Sequence, residues 1–209
     1  MSGEVFHDAN AHLIKMSETA KSERRQTRRL FRPSGIIVSY HTMRIEEAEP
    51  YPFAVPPEGR VALLMIDWQR DFLDVGGFGH SLGNKVAPLR AALPAAAAVL
   101  HAARRAGLFV VHTLEAHRPD LSDLVSAKKR RCPAIGEVLD GQVERGRLLI
   151  AGEPGNAIVP EVAPVPGELI LHKPGKGAFY STTLHTELRA RGITHLLVTG
   201  VTTEVPSKI

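Results

Sequence analysis

Cysteine is nearly absent from this chain. Cys132 is the only one in 209 residues. No internal disulfide can form, and such usage suits a reducing, cytoplasmic compartment. Aromatic residues make up only 5% of the sequence, too few for a platform that stacks nucleic-acid bases. The formal net charge is +4, which leaves room for a weak anion preference but lacks the basic footprint of a nucleic-acid binder. No apolar run approaches the ~20 residues that span a bilayer, so no membrane is expected as a partner. The first apolar patch is short and is followed by charge, unlike a secretory leader.

What is present is apolar and ordered. Apolar residues make up 44% of the chain, enough for one domain with a real core, since roughly 100–200 residues per domain is usual. Residues 1–50 stand apart. They contain the basic run "KSERRQTRRLFR" without a sustained hydrophobic period. They read as a disordered extension, and Met43 as an alternative start. The Pro-rich "EEAEPYPFAVPPEGR" reads as an extended approach. Residues 51–209 then hold the folded domain.

Within that domain the pattern alternates. "VALLMID" (61–67), "LFVVHT" (108–113), "RLLIA" (147–151), "ELILHK" (168–173) and "HLLVTG" (195–200) read as five strands. "LPAAAAVLHAARRAG" reads as a helix with Pro94 in its first turn and Gly107 at its stop. "STTLHTELRARG" reads as another, capped by Ser181 or Thr182, with Leu184 and Leu188 inward and Gly192 at its end. Residues 114–146 read as a charged, irregular connection with a short helix. Doubly apolar strands alternating with helices predict an α/β three-layer sandwich around a parallel sheet.

Open parallel sheets bind ligands beyond the carboxyl ends of their strands. The residues immediately after each apolar run are therefore the candidates. They are Asp67 after the first, Lys173 after the fourth and the turn "GVTTEV" after the fifth. Lys176, in a Gly-flanked loop, is placed to grip an anion or a carbonyl. An acid and a lysine on one rim can pair, or can polarise a group between them. The plain alternatives are an exposed strand-end acid and surface lysines.

Three segments, "VALLMIDWQRDF", "HKPGKGAFYSTTL" and "ITHLLVTGVTTEV", taken in order, resemble the isochorismatase-like cysteine hydrolases. "EAHRPDLSDL" and "KPGKG" are most similar to the branch of biuret hydrolases and ureido amidohydrolases. The resemblance implies sheet order 3-2-1-4-5 followed by a sixth strand. It implies a Cys-Asp-Lys triad that cleaves a C–N bond of a small amide or ureido substrate, biuret-like first, without a cofactor or metal. Asp67 and Lys173 match the acid and the lysine, and Lys176 and Phe72 match substrate contacts. The Val201–Thr202 peptide matches a strained cis bond whose neighbourhood supplies oxyanion donors. Homo-oligomers are implied as well.

One departure stands out. The family turn runs Gly-Val-Thr-Thr-Glu-Val-Cys, and here Pro206 occupies the nucleophile position. Proline has neither a thiol nor a backbone N–H. The chain is therefore expected to be inactive as written. Its last residues, "PSKI", read as a splice form, a frameshift or a mis-drawn gene, with the sixth strand missing.

Other readings are weaker. "GHSLG" (79–83) has the spacing of a serine nucleophile elbow at Ser81, but no strand leads into it. "EAH" (115–117) lies where nicotinamidase-like relatives carry half of a metal site, without the further histidine. His112 reads as a core-edge residue. Cys132 follows a basic stretch but no strand, and reads as an inert, partly buried thiol. A chain without its nucleophile can also serve as a regulatory or oligomerisation partner.

Overall fold

The computed structural model describes Arg44–Ile45, Phe53–Ala54 and residues 59–201. The expectation for the rest of residues 1–50, and those for Thr202 and Pro206, lie outside the described residues. The chain divides at Gly59 into two units. In the first, strands β1 (Arg44–Ile45) and β2 (Phe53–Ala54) pair antiparallel.

The second unit is an α/β sandwich. Its sheet holds β3 (Val61–Ile66), β4 (Phe109–Glu115), β5 (Leu169–Lys173) and β6 (His195–Gly200), all parallel, in the order β5-β4-β3-β6. Side chains alternate across the pleat. Leu63, Met65 and Val110 join one core with Leu93, Ala96, Leu100 and Ala103 of α4 (Leu93–Arg105). Ala62, Leu64, Ile66, Val111 and Leu171 join the other with Leu184 and Leu188 of α6 (Leu184–Ala190). The 3-4-3 spacing on α4 makes the single apolar stripe a sheet-packing helix needs.

Both helices fall where the pattern predicts. Gly107 and Gly192 stop them at φ +67° and +63°. Helix α6 starts at Leu184, three residues after Ser181. Ser181 itself has φ +53° and so lies outside helical backbone. The Thr182 hydroxyl accepts the Leu184 N–H at 3.3 Å and donates to the Ala178 carbonyl at 2.6 Å.

By length and composition Val86–Arg105 is apolar enough to cross a membrane. In the fold this stretch is two helices, α3 (Val86–Ala91) and α4, joined at Ala92. One stripe of α4 is sealed against the sheet. Arg90, in the middle of the stretch, pairs with Asp74 at 2.8 Å and with Glu161. The stretch is thereby accounted for as a core element.

The expected third strand is a correction. Residues 147–151 touch the sheet's end only through a bridge between His117 and Ile150. Leu149 has φ +55°, which breaks the extended alternation a strand requires. Leu148, Leu149 and Ile150 are all buried, so their apolarity reflects a packed turn. The carboxylate of Asp71, on α1 (Arg70–Leu73), holds that turn by accepting the Leu149 N–H at 2.9 Å. The place of third sheet strand falls to β5. Counted along the four described strands, the order is 3-2-1-4, and β3 sits between β4 and β6.

Gly200 closes β6 onto β3 opposite Ile66. A Cβ there would lie 3.0 Å from the Ile66 Cβ and 3.1 Å from its carbonyl oxygen. Gly200→Ala should therefore push the strand ends apart and lower stability by about 1–3 kcal/mol. Urea unfolding of the two proteins measures it, and an unchanged midpoint would refute the close-approach argument.

Candidate functional site

Asp67 follows β3 directly and turns the chain abruptly. Its φ is +57°, a left-handed conformation uncommon for a non-glycine residue. The Gln69 N–H bonds the Asp67 carbonyl at 2.7 Å, and the Asp67 N–H bonds the Thr113 carbonyl at 3.1 Å. This tight turn aims the carboxylate along the carboxyl rim. Lys173 ends β5 and is wholly buried. Its Nζ lies 2.7 Å from Asp67 Oδ2 and donates to the Gly175 carbonyl at 3.0 Å. Thr113 Oγ1 donates to Asp67 Oδ1 at 2.9 Å.

The implied order 3-2-1-4-5 would make the first and fourth predicted strands, which lead to Asp67 and Lys173, neighbours, and the observed order corrects this. Strand β4 lies between them, so the lysine reaches across its end. Two strand spacings, roughly 10 Å, are within the combined reach of a lysine and an aspartate. The switch point lies instead between β3 and β6. There Trp68 Nε1 donates to Thr199 Oγ1 at 3.2 Å, and Val201 is buried in the core on the α4 side.

Beyond the pair runs a second layer of charge. Glu115, the last residue of β4, has Oε2 3.9 Å from Lys173 Nζ and Oε1 2.6 Å from Lys128 Nζ. Lys128 comes from α5 (Ser126–Arg131) and also meets His117 Nε2 and the Pro174 carbonyl, each at 2.8 Å. His117 Nδ1 lies 3.2 Å from Asp123 Oδ1. The main chain beneath is stitched by Gln69, whose amide bonds the Glu115 N–H at 2.8 Å and its carbonyl at 3.1 Å.

Burial dominates the electrostatics. It pushes the Asp67 carboxyl up from its ordinary 3.8 to about 6, against the pull of Lys173 and with some help from the charge of Glu115. Glu168 shows the opposite balance. There, despite burial, bonds from Arg104, the Val165 N–H and His112 hold the carboxyl down at about 2. Burial lowers His117, and the Lys128 charge adds to that. A neutral imidazole fits its contacts, with Nδ1 donating to Asp123 and Nε2 accepting from Lys128.

Sequence-predicted residues separate into those at the pair and those away from it. Lys176 is exposed on the loop after Lys173. Phe72 is 6% exposed, packed edge-on against Phe78 with centroids 6.0 Å apart. Ser81 ends α2 (Phe78–Ser81) and spends its hydroxyl on the Phe78 carbonyl at 2.7 Å. No strand delivers it. Cys132 is partly buried against the core on the α4 side. His112 is buried and lies 2.9 Å from Glu168. Among the described residues no group of three His, Cys, Asp or Glu side chains is placed to hold a metal. Sequence reasoning passed over Thr113 and Lys128, and weighed Glu115 only as half of a metal site. Glu115 carried a signal, since it too is an acid closing a buried strand.

Residues 61–206 match the isochorismatase domain. The chain belongs to the isochorismatase family. It is 31% identical over 170 residues to ureidoacrylate amidohydrolase RutB of Cronobacter sakazakii, covering 76% of this chain and 69% of that one. The crystal structure of an isochorismatase family protein from Desulfovibrio vulgaris superposes with a TM-score of 0.56 at 34% identity, over 69% of this chain and 68% of that one. A cysteine hydrolase from Pseudomonas syringae pv. phaseolicola superposes at 0.59 with 25% identity, over 69% and 61%. The chain is thus an isochorismatase-family hydrolase with the family's α/β fold.

Because Asp67 is easier to protonate in the fold than in the unfolded chain, its contribution to stability is full below about pH 4. It is lost as pH rises through about 6. A two-unit difference is worth roughly 3 kcal/mol. The unfolding free energy should therefore decline across that window, and Asp67→Asn should flatten the decline. An equal slope in the variant would show that other groups carry it.

Proposed function

We propose that this chain descends from hydrolases that cleave the C–N bond of small ureido or amide compounds through a Cys-Asp-Lys triad. We also propose that it lacks the cysteine. The observation that carries this reading is a buried carboxyl held 2.7 Å from a buried ammonium on the sheet's carboxyl rim. Its midpoint near 6 suits a group that must take and return a proton near neutral pH. In the complete reaction a thiol at position 206 loses its proton to Asp67, and the thiolate attacks the substrate carbonyl. The tetrahedral centre collapses, the C–N bond breaks, and Asp67 delivers the proton to the leaving nitrogen. Water then hydrolyses the thioester. Lys173 favours the thiolate and keeps Asp67 oriented.

Lys176 is assigned to the substrate. Its loop follows Lys173 directly, and its ammonium is exposed and flanked by Gly175 and Gly177. Phe72, the other residue matched to a substrate contact, has its ring packed in the core against Phe78. Similarity to a ureidoacrylate amidohydrolase supports trying ureidoacrylate-type compounds beside biuret as the first substrates. No metal enters this scheme. A partner role in oligomers with nucleophile-bearing subunits is the alternative use of the same chain.

Pro206 removes the nucleophile, a loss on the order of 10⁶ in rate where comparable residues have been deleted. The chain as written should release no ammonia from biuret, ureidoacrylate or nicotinamide above background. Pro206→Cys should gain turnover on a ureido compound, and Lys173→Ala in that background should remove the gain. Turnover by the unaltered chain would refute the assignment of position 206. A gain that survives Lys173→Ala would refute the role of the pair.

A further inference from the structure

Lys128 is a half-buried cation that the proposed chemistry does not use. Its ammonium has three N–H bonds to give, and the fold supplies three acceptors. They are Glu115 Oε1 at 2.6 Å, His117 Nε2 at 2.8 Å and the Pro174 carbonyl at 2.8 Å. These come from the end of β4, the segment just after it, and the residue next to Lys173. The neighbouring cations of α5 behave differently. Lys129 bonds the Pro133 and Ile135 carbonyls near the helix end, and Arg130 and Arg131 belong to a helix with no buried residue.

The arrangement matters because Glu115 competes for Lys173. Its Oε2 lies 3.9 Å from Lys173 Nζ, close enough for an unneutralised carboxylate to draw the ammonium off Asp67 in a low-dielectric site. Along the rim the charges alternate as Asp67, Lys173, Glu115, Lys128, with neutral His117 and then Asp123 beyond. We propose that Lys128 is a positioning residue of the Asp67–Lys173 pair: it occupies Glu115 and ties down the Pro174 loop, so that Lys173 stays on Asp67. The proposal rests on the reading of that pair as the reactive one. Its geometry stands independently.

The test uses chain 1–209 with ¹³C-labelled aspartate carboxyls. The groups facing Asp67 are Lys173 from β5 and Thr113 and Glu115 from β4, with Lys128 behind Glu115 from α5. In Lys128→Met the freed Glu115 should draw Lys173 away, and the Asp67 midpoint should rise by about one pH unit. In Glu115→Gln/Lys128→Met it should return to the value of the unaltered chain or below. A Lys128→Met midpoint within about 0.3 units of the unaltered chain overturns the proposal, as does a double variant that stays high. A merely structural lysine would lower stability in both without this reversal. A second measurement needs no variant. Acetic anhydride at neutral pH should modify Lys128 many times more slowly than exposed Lys176, read by mass spectrometry, and equal rates overturn the proposal. None of these readouts requires turnover, so a Pro206→Cys chain that gained no turnover on any ureido compound would count against the function and leave them standing.

Discussion

A carboxylate and an ammonium that have both left water hold each other, because neither has another way to recover what hydration supplied. Asp67 and Lys173 are such a pair, 7% and 0% exposed, with 2.7 Å between their charged atoms. Removing one partner of a buried pair strands the other at a cost of about 3–5 kcal/mol. Much of the rim is arranged so that neither is stranded. Thr113 gives Asp67 a neutral donor, and Gly175 gives Lys173 a neutral acceptor. The left-handed backbone at Asp67 is the local strain that points the carboxylate at its partner. Since β4 separates the two parent strands, the pair also straps three strands together at their carboxyl ends.

That rim was legible in part. Asp67 and Lys173 each close a continuous apolar run, and parallel strands bring their carboxyl-terminal residues to one edge. Glu115 obeys the same rule, but reading its strand as ending at residue 113 left it in the connection. The strand continues through Leu114 to Glu115. The run "RLLIA" misled for a different reason. Apolarity reports burial, and Leu148, Leu149 and Ile150 are buried. Only φ distinguishes a strand from a packed turn, and the positive φ of a leucine leaves no mark in composition. Lys128 was the least legible. It opens a run of four cations, "KKRR", that reads as one solvated face. Which of the four turns inward depends on where Glu115, His117 and Pro174 come together, a tertiary fact without a local signature.

The same logic separates Phe72 from the rim. Its match to a substrate contact comes from the resemblance. The helix directs Phe72 and Leu73 into the core while Arg70 stays near the surface, bonded to Asp74 at 3.0 Å. One helical turn is enough to send neighbouring side chains to opposite environments.

The acid and the lysine of the proposed triad are held by contacts within one part of the described rim. The acid and the lysine stand on β3 and β5, and their contacts come from β4, α5 and the Pro174–Gly175 turn. Among the described residues, none of the contacts that hold the pair comes from β6. Burial, with help from the Glu115 charge and against the pull of Lys173, accounts for the elevated carboxyl of Asp67 without reference to a thiol. On the proposed function, a substitution at position 206 would remove the attacking atom without removing any contact described at the pair, whose strain and alternating charges are set by β3, β4, β5 and α5.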